Sequence, residues 1–373
     1  MTVVTSADDA SLSGTGRILA RAEGSLGHLT LNRPEALNAL GLDMIRGISA
    51  ALAAWRTDTD VQIVVIDGAG ERGLCAGGDV RALYDQVTGA APDEVVPFFR
   101  EEYAMNAAIA EFPKPVVAIA DGITMGGGVG VAGHAAIRVV TERSRLAMPE
   151  TRIGFTPDVG GTWLLSRAPG RLGEFLALTG GTLDAADALY AGFADFLVPS
   201  ERLEALRDAL AHRADPTGPS EIVMLFDETP EPSPLEAART WIDDAFSADT
   251  VAGILDRLRA LAAEQGGPGS DADVPTPAAT ADLLERLSPT ALAVALEAVR
   301  EARAMPGLRD ALAGEYRRVL WFAGNHPDLV EGIRAQLVDK DRNPRWQPAT
   351  IAELAPDAAA GARDFVPPTP LWD

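Results

Sequence analysis

DGITMGGGVGVAGHAAIRVVTERSRLAMPETRIGFTPDVGG, from Asp121 to Gly161, is the stretch whose reading decides the fold of this chain. It follows an apolar, largely β-branched run, Val116 to Ala120, that predicts a buried strand. Three glycines, Gly126, Gly127 and Gly128, then lead into small and apolar residues suited to a closely packed helix. A strand that turns through glycines into a helix leaves unpaired backbone N–H groups at the helix start, where they can hold a developing negative charge. A second strand-like run, Ala135 to Val140, precedes two carboxylates, Glu150 and Asp158. Pro149, Gly154 and Pro157 flank and separate them, which places both acids on loop. Backbone donors together with two loop acids make a candidate acyl-transfer site.

Outward from this stretch, the apolar pattern alternates between strands and helices. Ile18 to Leu31 reads as a hairpin about Gly24-Ser25, and Leu42 to Trp55 as a helix. Val61 to Ile66 reads as a buried parallel-type strand. Helices are predicted from Asp79 onward and over Val96 to Phe112, the latter stopped by Pro113-Lys114-Pro115. Such βαβ alternation implies an α/β fold with helices covering a largely parallel sheet. After Gly161 come short helical patterns at Trp163–Ser166, Leu172–Leu178 and Ala185–Tyr190, then a brief strand, Phe193–Val198. Linkers are read at Asp215–Ser220, Glu228–Pro234 and Gln265–Thr280, the last a candidate mobile loop. Helices follow at Leu235–Phe246, Val251–Glu264, Thr290–Ala304, Leu308–Phe322 and Leu329–Val338. The expected organisation is a flexible tail at 1–16, an α/β core at 17–200, a helical region at 201–355 packing back on it, and a tail at 356–373.

Composition narrows the function. A net charge of −22 over 373 residues opposes nucleic acid and anionic membrane, whose phosphates need clustered Lys and Arg. No uninterrupted apolar stretch reaches the roughly 18 residues that a membrane span requires. The single cysteine, Cys75, excludes an internal disulfide and fits a reducing cytoplasm. The N-terminal run MTVVTSADDASLSG has neither the basic flank nor the apolar core of a signal peptide.

Leu74-Cys75-Ala76-Gly77-Gly78-Asp79 repeats the order strand, glycine loop, helix, so two turns can aim one N–H each at a common oxygen. Either loop alone is more often a plain tight turn; the pair followed by two acids is not. Glu150 and Asp158 have the bland reading of solvated carboxylates. Their apolar neighbours Leu146, Met148, Ile153, Phe155 and Val159 favour instead the raised proton affinity of catalytic acids and bases. His28, His134, His212 and His326 form no nucleophile motif and no metal-spaced pair, and His134, on an apolar helix, reads as a hydrogen-bonded core residue. Cys75 reads as a small buried thiol. No metal is expected.

The runs Leu31-Asn32-Arg33-Pro34 with Asn38-Ala39, CAGGDVR (Cys75 to Arg81) and GITMGGGVG (Gly122 to Gly130) resemble the crotonase, or enoyl-CoA hydratase/isomerase, superfamily. MPETRIGFTPDVGG (Met148 to Gly161), FFREEY (Phe98 to Tyr103) and VDKDRNPRWQP (Val338 to Pro348) look like its 3-hydroxyisobutyryl-CoA hydrolase branch. The resemblance runs from about residue 17 to about 350. It implies a crotonase-like ββα spiral core with a helical C-terminal region, and a bent acyl-CoA thioester held between glycine loops. By motif position it implies Gly78 and Gly127 as the oxyanion-hole donors, Glu150 as the catalytic glutamate and Asp158 as the acid contacting the substrate hydroxyl. Glu102 matches a substrate-site glutamate. The CoA is part of the substrate, so no separate cofactor is implied; Arg33, Arg72 and Arg81 are candidate local cations for its phosphates, and which residues hold these is left open. Hydratases commonly carry a second glutamate where this chain has Gly130. The implied activity is thioester hydrolysis in valine breakdown; the rivals are an enoyl-CoA hydratase or isomerase and a silent CoA-binding protein. A homo-oligomer is left open.

Overall fold

Val64, Ile66, Val116 and Ala118 turn to one face of a sheet, and Ile63, Val65, Val117 and Ile119 to the other. This period-two alternation of β-branched residues is that of strands buried on both sides. The computed structural model describes residues 16–89, 95–212, 218–265 and 275–372. All of the tail expected at 1–16 except Gly16 lies outside them, as do parts of two of the linkers read from the sequence.

The hairpin of β1 (Ile18–Glu23) and β2 (Leu26–Leu31) turns at Gly24, whose φ of +57° suits glycine. To it β3 (Ile63–Gly68), β4 (Val116–Ala120), β6 (Ile137–Val140) and β8 (Phe196–Leu197) add in parallel, in the order β1-β2-β3-β4-β6-β8. A second sheet pairs β5 (Ile123–Met125) with β7 (Arg145–Ala147), and the chain at Gly73 and Cys75 bridges onto it beside β5. Each long parallel strand is thus followed by a short crossing segment: β3 by 73–75, β4 by β5, β6 by β7. That is the ββα repeat, and it stacks the chain's loops at one end of the main sheet.

Helices close the repeats and cover the sheet. They are α1 (Leu42–Thr57), α2 (Val80–Thr88), α3 (Val95–Ala110), α4 (Gly127–Ala132), α5 (Gly161–Leu165), α6 (Leu172–Thr179) and α7 (Ala185–Tyr190). Asp79 caps α2 by accepting the Ala82 N–H. No helix is predicted from the sequence over Leu203–Ala211 or Pro219–Met224, yet α8 and α9 form there. Their Leu206, Leu210 and Val223 cover the Ile63–Val65–Val117 face, and this burial is what makes the two segments helices. Pro219 and Ser220, expected in a linker, are the first residues of α9.

The remaining helices are α10 (Pro234–Ala245), α11 (Val251–Gln265), α12 (Pro277–Leu284), α13 (Pro289–Ala302), α14 (Leu308–Asn325), α15 (Asp328–Ile333) and α16 (Ala360–Arg363). They share one continuous apolar cluster with the opposite face of the sheet. The linker read at Gln265–Thr280 is helical at both ends, since α11 reaches Gln265 and α12 starts at Pro277 behind the Thr276 cap; residues 266–274 lie outside the described ones. The helix expected over Leu329–Val338 changes hand-hold at Arg334, where a π-helical turn, Arg334–Val338, takes over. In the last segment, 356–372, Ala359, Ala362 and Leu371 are buried in the same cluster.

Candidate active site

The two glycine loops meet face to face. Gly77 (φ +109°) and Gly126 (φ +48°) adopt left-handed backbone immediately before Gly78 and Gly127. Among the described residues, neither the Gly78 nor the Gly127 N–H has a hydrogen-bond partner. A Cβ on Gly127 would stand 3.1 Å from the Gly78 nitrogen, so the two donors lie within reach of one oxygen atom. Leu40 fixes the first loop from behind: its N–H donates to Gly77 at 2.8 Å and its carbonyl accepts from Asp79 at 2.9 Å. The second loop is pinned to β7 by the Gly126 N–H on the Ala147 carbonyl at 3.0 Å. The third glycine has a packing role, because a Cβ on Gly128 would lie 2.3 Å from the Cys75 carbonyl oxygen.

Both loops open into a cavity of about 260 Å³. Its walls carry Glu102, Glu150 and Asp158, with Leu83, Phe98, Phe99, Phe155 and Leu337 as the apolar lining. All five predicted site residues are therefore brought together. One local expectation is corrected: Glu150 is not on loop but is the first residue of a single 3-10 turn, Glu150–Ile153. Close packing from the C-terminal region sets that turn, since a Cβ on Gly332 of α15 would collide with the Ile153 carbonyl at 2.0 Å. Trp346 packs against Gly154 next to it and donates its indole N–H to the Arg286 carbonyl at 2.9 Å. The Arg334 guanidinium gathers Glu331, Asp339 and Asp341. The segment from α15 through the C-terminal motif thus acts as a brace, and the π turn leading into the motif brings Gln336 and Leu337 to the cavity wall.

A larger depression, of about 650 Å³, lies between α11, α13 and the segment after Ile351. Its charged groups are spent on one another and on backbone, Arg363 on Glu297 and Arg300 on the Phe246, Ala248 and Asp249 carbonyls. It presents no donor pair facing an acid, so the chemistry belongs to the smaller cavity.

Among the described residues no cation pairs with the buried acids of the site, and Arg152 on the cavity wall donates to the Thr179 carbonyl at 2.9 Å. Glu102, Glu150, Asp158 and Glu315 of α14 are all buried. Among the described residues, Glu102 Oε1 and Glu150 Oε2 have no hydrogen-bond partner. Burial first, and the Asp158 charge second, raise the proton affinity of Glu150 and Glu102 well above the usual carboxylate range. Burial pushes Asp158 up to about 7, against the opposing hydrogen bond from Tyr103. Glu315 is pushed by burial up to about 8, although it accepts from the Gly160 and Thr162 N–H groups at 2.6 and 2.8 Å. Arg33 is committed to Asp79 at 2.9 Å, whereas Arg72 and Arg81 are exposed. Cys75 is buried and its thiol pushed up to about 12, so it stays an uncharged core group.

Sequence reasoning missed Tyr103 and Glu315. Tyr103 donates its O–H to Asp158 Oδ2 at 3.1 Å. His134 lies beyond the end of α4 rather than on it, buried, with Nε2–H donating to the Val159 carbonyl at 2.8 Å. Burial lowers its pKa to about 4, so the ring is neutral. Val159 itself has φ +52°, an uncommon conformation for a β-branched residue.

These raised carboxyls have a consequence for stability. A carboxyl whose folded pKa exceeds its unfolded value stabilises the fold fully below the unfolded pKa and loses that contribution as pH rises through the folded one. For Asp158 the window runs from about 4 to about 7. The melting temperature is expected to fall from pH 5 to pH 8, and to fall less in Asp158→Asn, whose amide oxygen still accepts from Tyr103. Equal slopes for the two proteins in thermal melts would show that burial does not raise the proton affinity of Asp158.

Residues 26–362 match the family described as enoyl-CoA hydratase/isomerase. A Danio rerio protein named 3-hydroxyisobutyryl-CoA hydrolase, mitochondrial, is 41% identical over 351 residues, covering 91% of this chain and 87% of its own. The Homo sapiens protein of the same name is 38% identical over 346 residues, covering 90% and 86%. Two solved structures are similar throughout. One, from Mycobacterium thermoresistibile and titled a carnitinyl-CoA dehydratase, has a TM-score of 0.86 at 45% identity, covering 94% of this chain and 97% of that one. The other, from Rhodobacter sphaeroides 2.4.1 and titled an enoyl-CoA hydratase, has a TM-score of 0.85 at 40% identity, covering 95% and 99%.

Proposed function

The chain belongs to the enoyl-CoA hydratase/isomerase family, and from that premise we propose that it hydrolyses 3-hydroxyisobutyryl-CoA, or a similar short β-hydroxyacyl-CoA, to the free acid and CoA. The observation that carries the reading is the pair of unpartnered N–H groups on Gly78 and Gly127 facing the same cavity as Glu150 and Asp158. The thioester carbonyl oxygen accepts from both N–H groups, which stabilise the negative charge that develops when the carbon is attacked. Glu150 acts on that carbon, either as the nucleophile that forms a mixed anhydride or as the base that deprotonates water. In either route the C–S bond breaks, CoA leaves as its thiol after gaining a proton, and one water is consumed. Asp158 accepts the hydroxyl of the acyl chain, and the small, phenylalanine-lined cavity suits a short acyl group.

The hydrolase names of the relatives and the hydratase titles of the solved structures point to different reactions, and Gly130 favours the first. A Cβ there would stand 2.7 Å from Val159 Cβ and 2.9 Å from Asn106 Nδ2. The position has no room for the second glutamate that two-acid water addition uses. By this reading the protein serves valine breakdown, and the single cysteine, Cys75, is consistent with work in the reducing cytoplasm. The test compares release of free CoA from 3-hydroxyisobutyryl-CoA with hydration of crotonyl-CoA. CoA release is expected to dominate; hydration without CoA release would overturn the proposal.

A further inference from the structure

Asp158 is anchored through its backbone from several sides. Its carbonyl accepts the Gly161 N–H at 2.6 Å. The next residues are held by His134 on the Val159 carbonyl and by Glu315 on the Gly160 and Thr162 N–H groups. Val159 (φ +52°) and Gly160 (φ +79°) both take left-handed conformations in this turn, which therefore needs those anchors. What the backbone does not settle is the direction and charge of the Asp158 carboxylate. Three acids face it: Glu102 of α3, Glu150 of the 3-10 turn and Glu315 of α14. His134 is neutral and spent on Val159. Among the described residues, the one side chain that donates to Asp158 is Tyr103.

Tyr103 is fully buried and cannot turn away. Its ring is met edge-on by Phe99, 6.1 Å between centroids, and by Tyr316 at 6.2 Å. An ionised carboxylate only accepts, whereas a protonated one also donates, so the charge state decides how it meets a substrate hydroxyl. We propose that Tyr103 is the positioning residue for Asp158: its O–H, on Oδ2, holds the carboxylate in an accepting state and leaves the other oxygen for the hydroxyl of the acyl chain. This rests on the hydrolase reading, in which Asp158 recognises that hydroxyl. A donor to the charged form lowers a carboxyl pKa, and it opposes the burial that brings Asp158 to about 7.

The readout is the ratio of kcat/KM for 3-hydroxyisobutyryl-CoA to that for isobutyryl-CoA, followed against pH. Ionisation of Glu150 affects both thioesters and cancels, so the ratio reports the hydroxyl partner. In the wild type the ratio is expected to rise through a midpoint near 7, the value for Asp158. Tyr103→Phe removes one oxygen and keeps the ring packing. It should move the midpoint up by about one pH unit, the size of one lost charge-assisted hydrogen bond, with the high-pH plateau kept. Incorporation of 3-fluorotyrosine at position 103, a stronger donor, should move it down, and this arm stands even if the phenylalanine variant does not fold. An unchanged midpoint in both variants, or a plateau lowered equally at every pH, would show a merely structural tyrosine and overturn the proposal. Asp158→Asn separates the two levels. Loss of the ratio at all pH values upholds the reading of Asp158, and a ratio kept in that variant overturns that reading and the Tyr103 proposal with it.

Discussion

Glu150→Gln is expected to slow release of CoA by about 10²–10⁴-fold, with the thioester still bound. Glutamine keeps the shape of the side chain, whose Oε1 lies 2.9 Å from where a Cβ on Gly126 would stand. What it removes is the carboxylate: an amide oxygen still accepts hydrogen bonds but is neither the nucleophile nor the base that a carboxylate is. Glu150 Oε2 is buried and has no partner among the described residues, so no hydrogen bond to them is lost with it. The variant also relieves a costly group, since burial and the Asp158 charge both oppose ionisation of Glu150. It should therefore fold at least as well as the wild type at pH 8, which frees the kinetic result from any question of unfolding. Activity traded against stability in this way is common at catalytic positions. KM near the wild-type value with collapsed kcat is the expected pattern. Hydrolysis at a near-normal rate would remove Glu150 from the reaction.

Much of this arrangement is legible in the sequence because the signals are local. Val116–Ala120 and Val61–Ile66 are short β-branched runs, and a parallel sheet covered on both faces is the structure such runs form. Gly78, Gly127, Glu150 and Asp158 stand in motifs whose glycines and prolines announce turns. The parts that are not legible depend on contacts between distant segments. β5 and β7 have three residues each, too few to show alternation, and they exist because the chain at Cys75 pairs beside them. Glu315 sits in Gly314-Glu-Tyr-Arg-Arg-Val319, a charged run in the helix read over Leu308–Phe322 with no local signal of burial. It is buried because two N–H groups of the Gly160–Thr162 turn need an acceptor. Tyr103 follows Glu102 directly, and consecutive helical residues ordinarily point apart. Both are nonetheless buried, Glu102 beside Gly127 and Tyr103 on Asp158, because α3 is enclosed by α1 and α14 and by the glycine turn.

Gly127→Val is expected to lower kcat by about 10²–10³-fold, the loss typical of one oxyanion donor, in a protein that still folds. The reason is space rather than backbone conformation. The left-handed residue is Gly126, and Gly127 begins α4 with ordinary helical geometry, so valine is not strained by φ at this position. A Cβ on Gly127, however, would stand 2.8 Å from Glu102 Oε1, 3.1 Å from the Gly78 nitrogen and 3.2 Å from Leu40 Cδ1. The Glu102 carboxylate ends a flexible side chain and can swing aside, but the Gly78 nitrogen is backbone held by Leu40 on both sides. Valine therefore fills the point where the carbonyl oxygen must sit and pushes the two donors apart. Gly127→Ala, with one carbon, should lose less, because only the Cβ has to be accommodated. Gly128→Ala is the contrasting control. Its Cβ would lie 2.3 Å from the Cys75 carbonyl oxygen, a clash with rigid backbone, so the expected loss is in melting temperature. The two neighbouring glycines thus separate catalysis from folding. A folded Gly127→Val protein with wild-type kcat would take its N–H out of the mechanism.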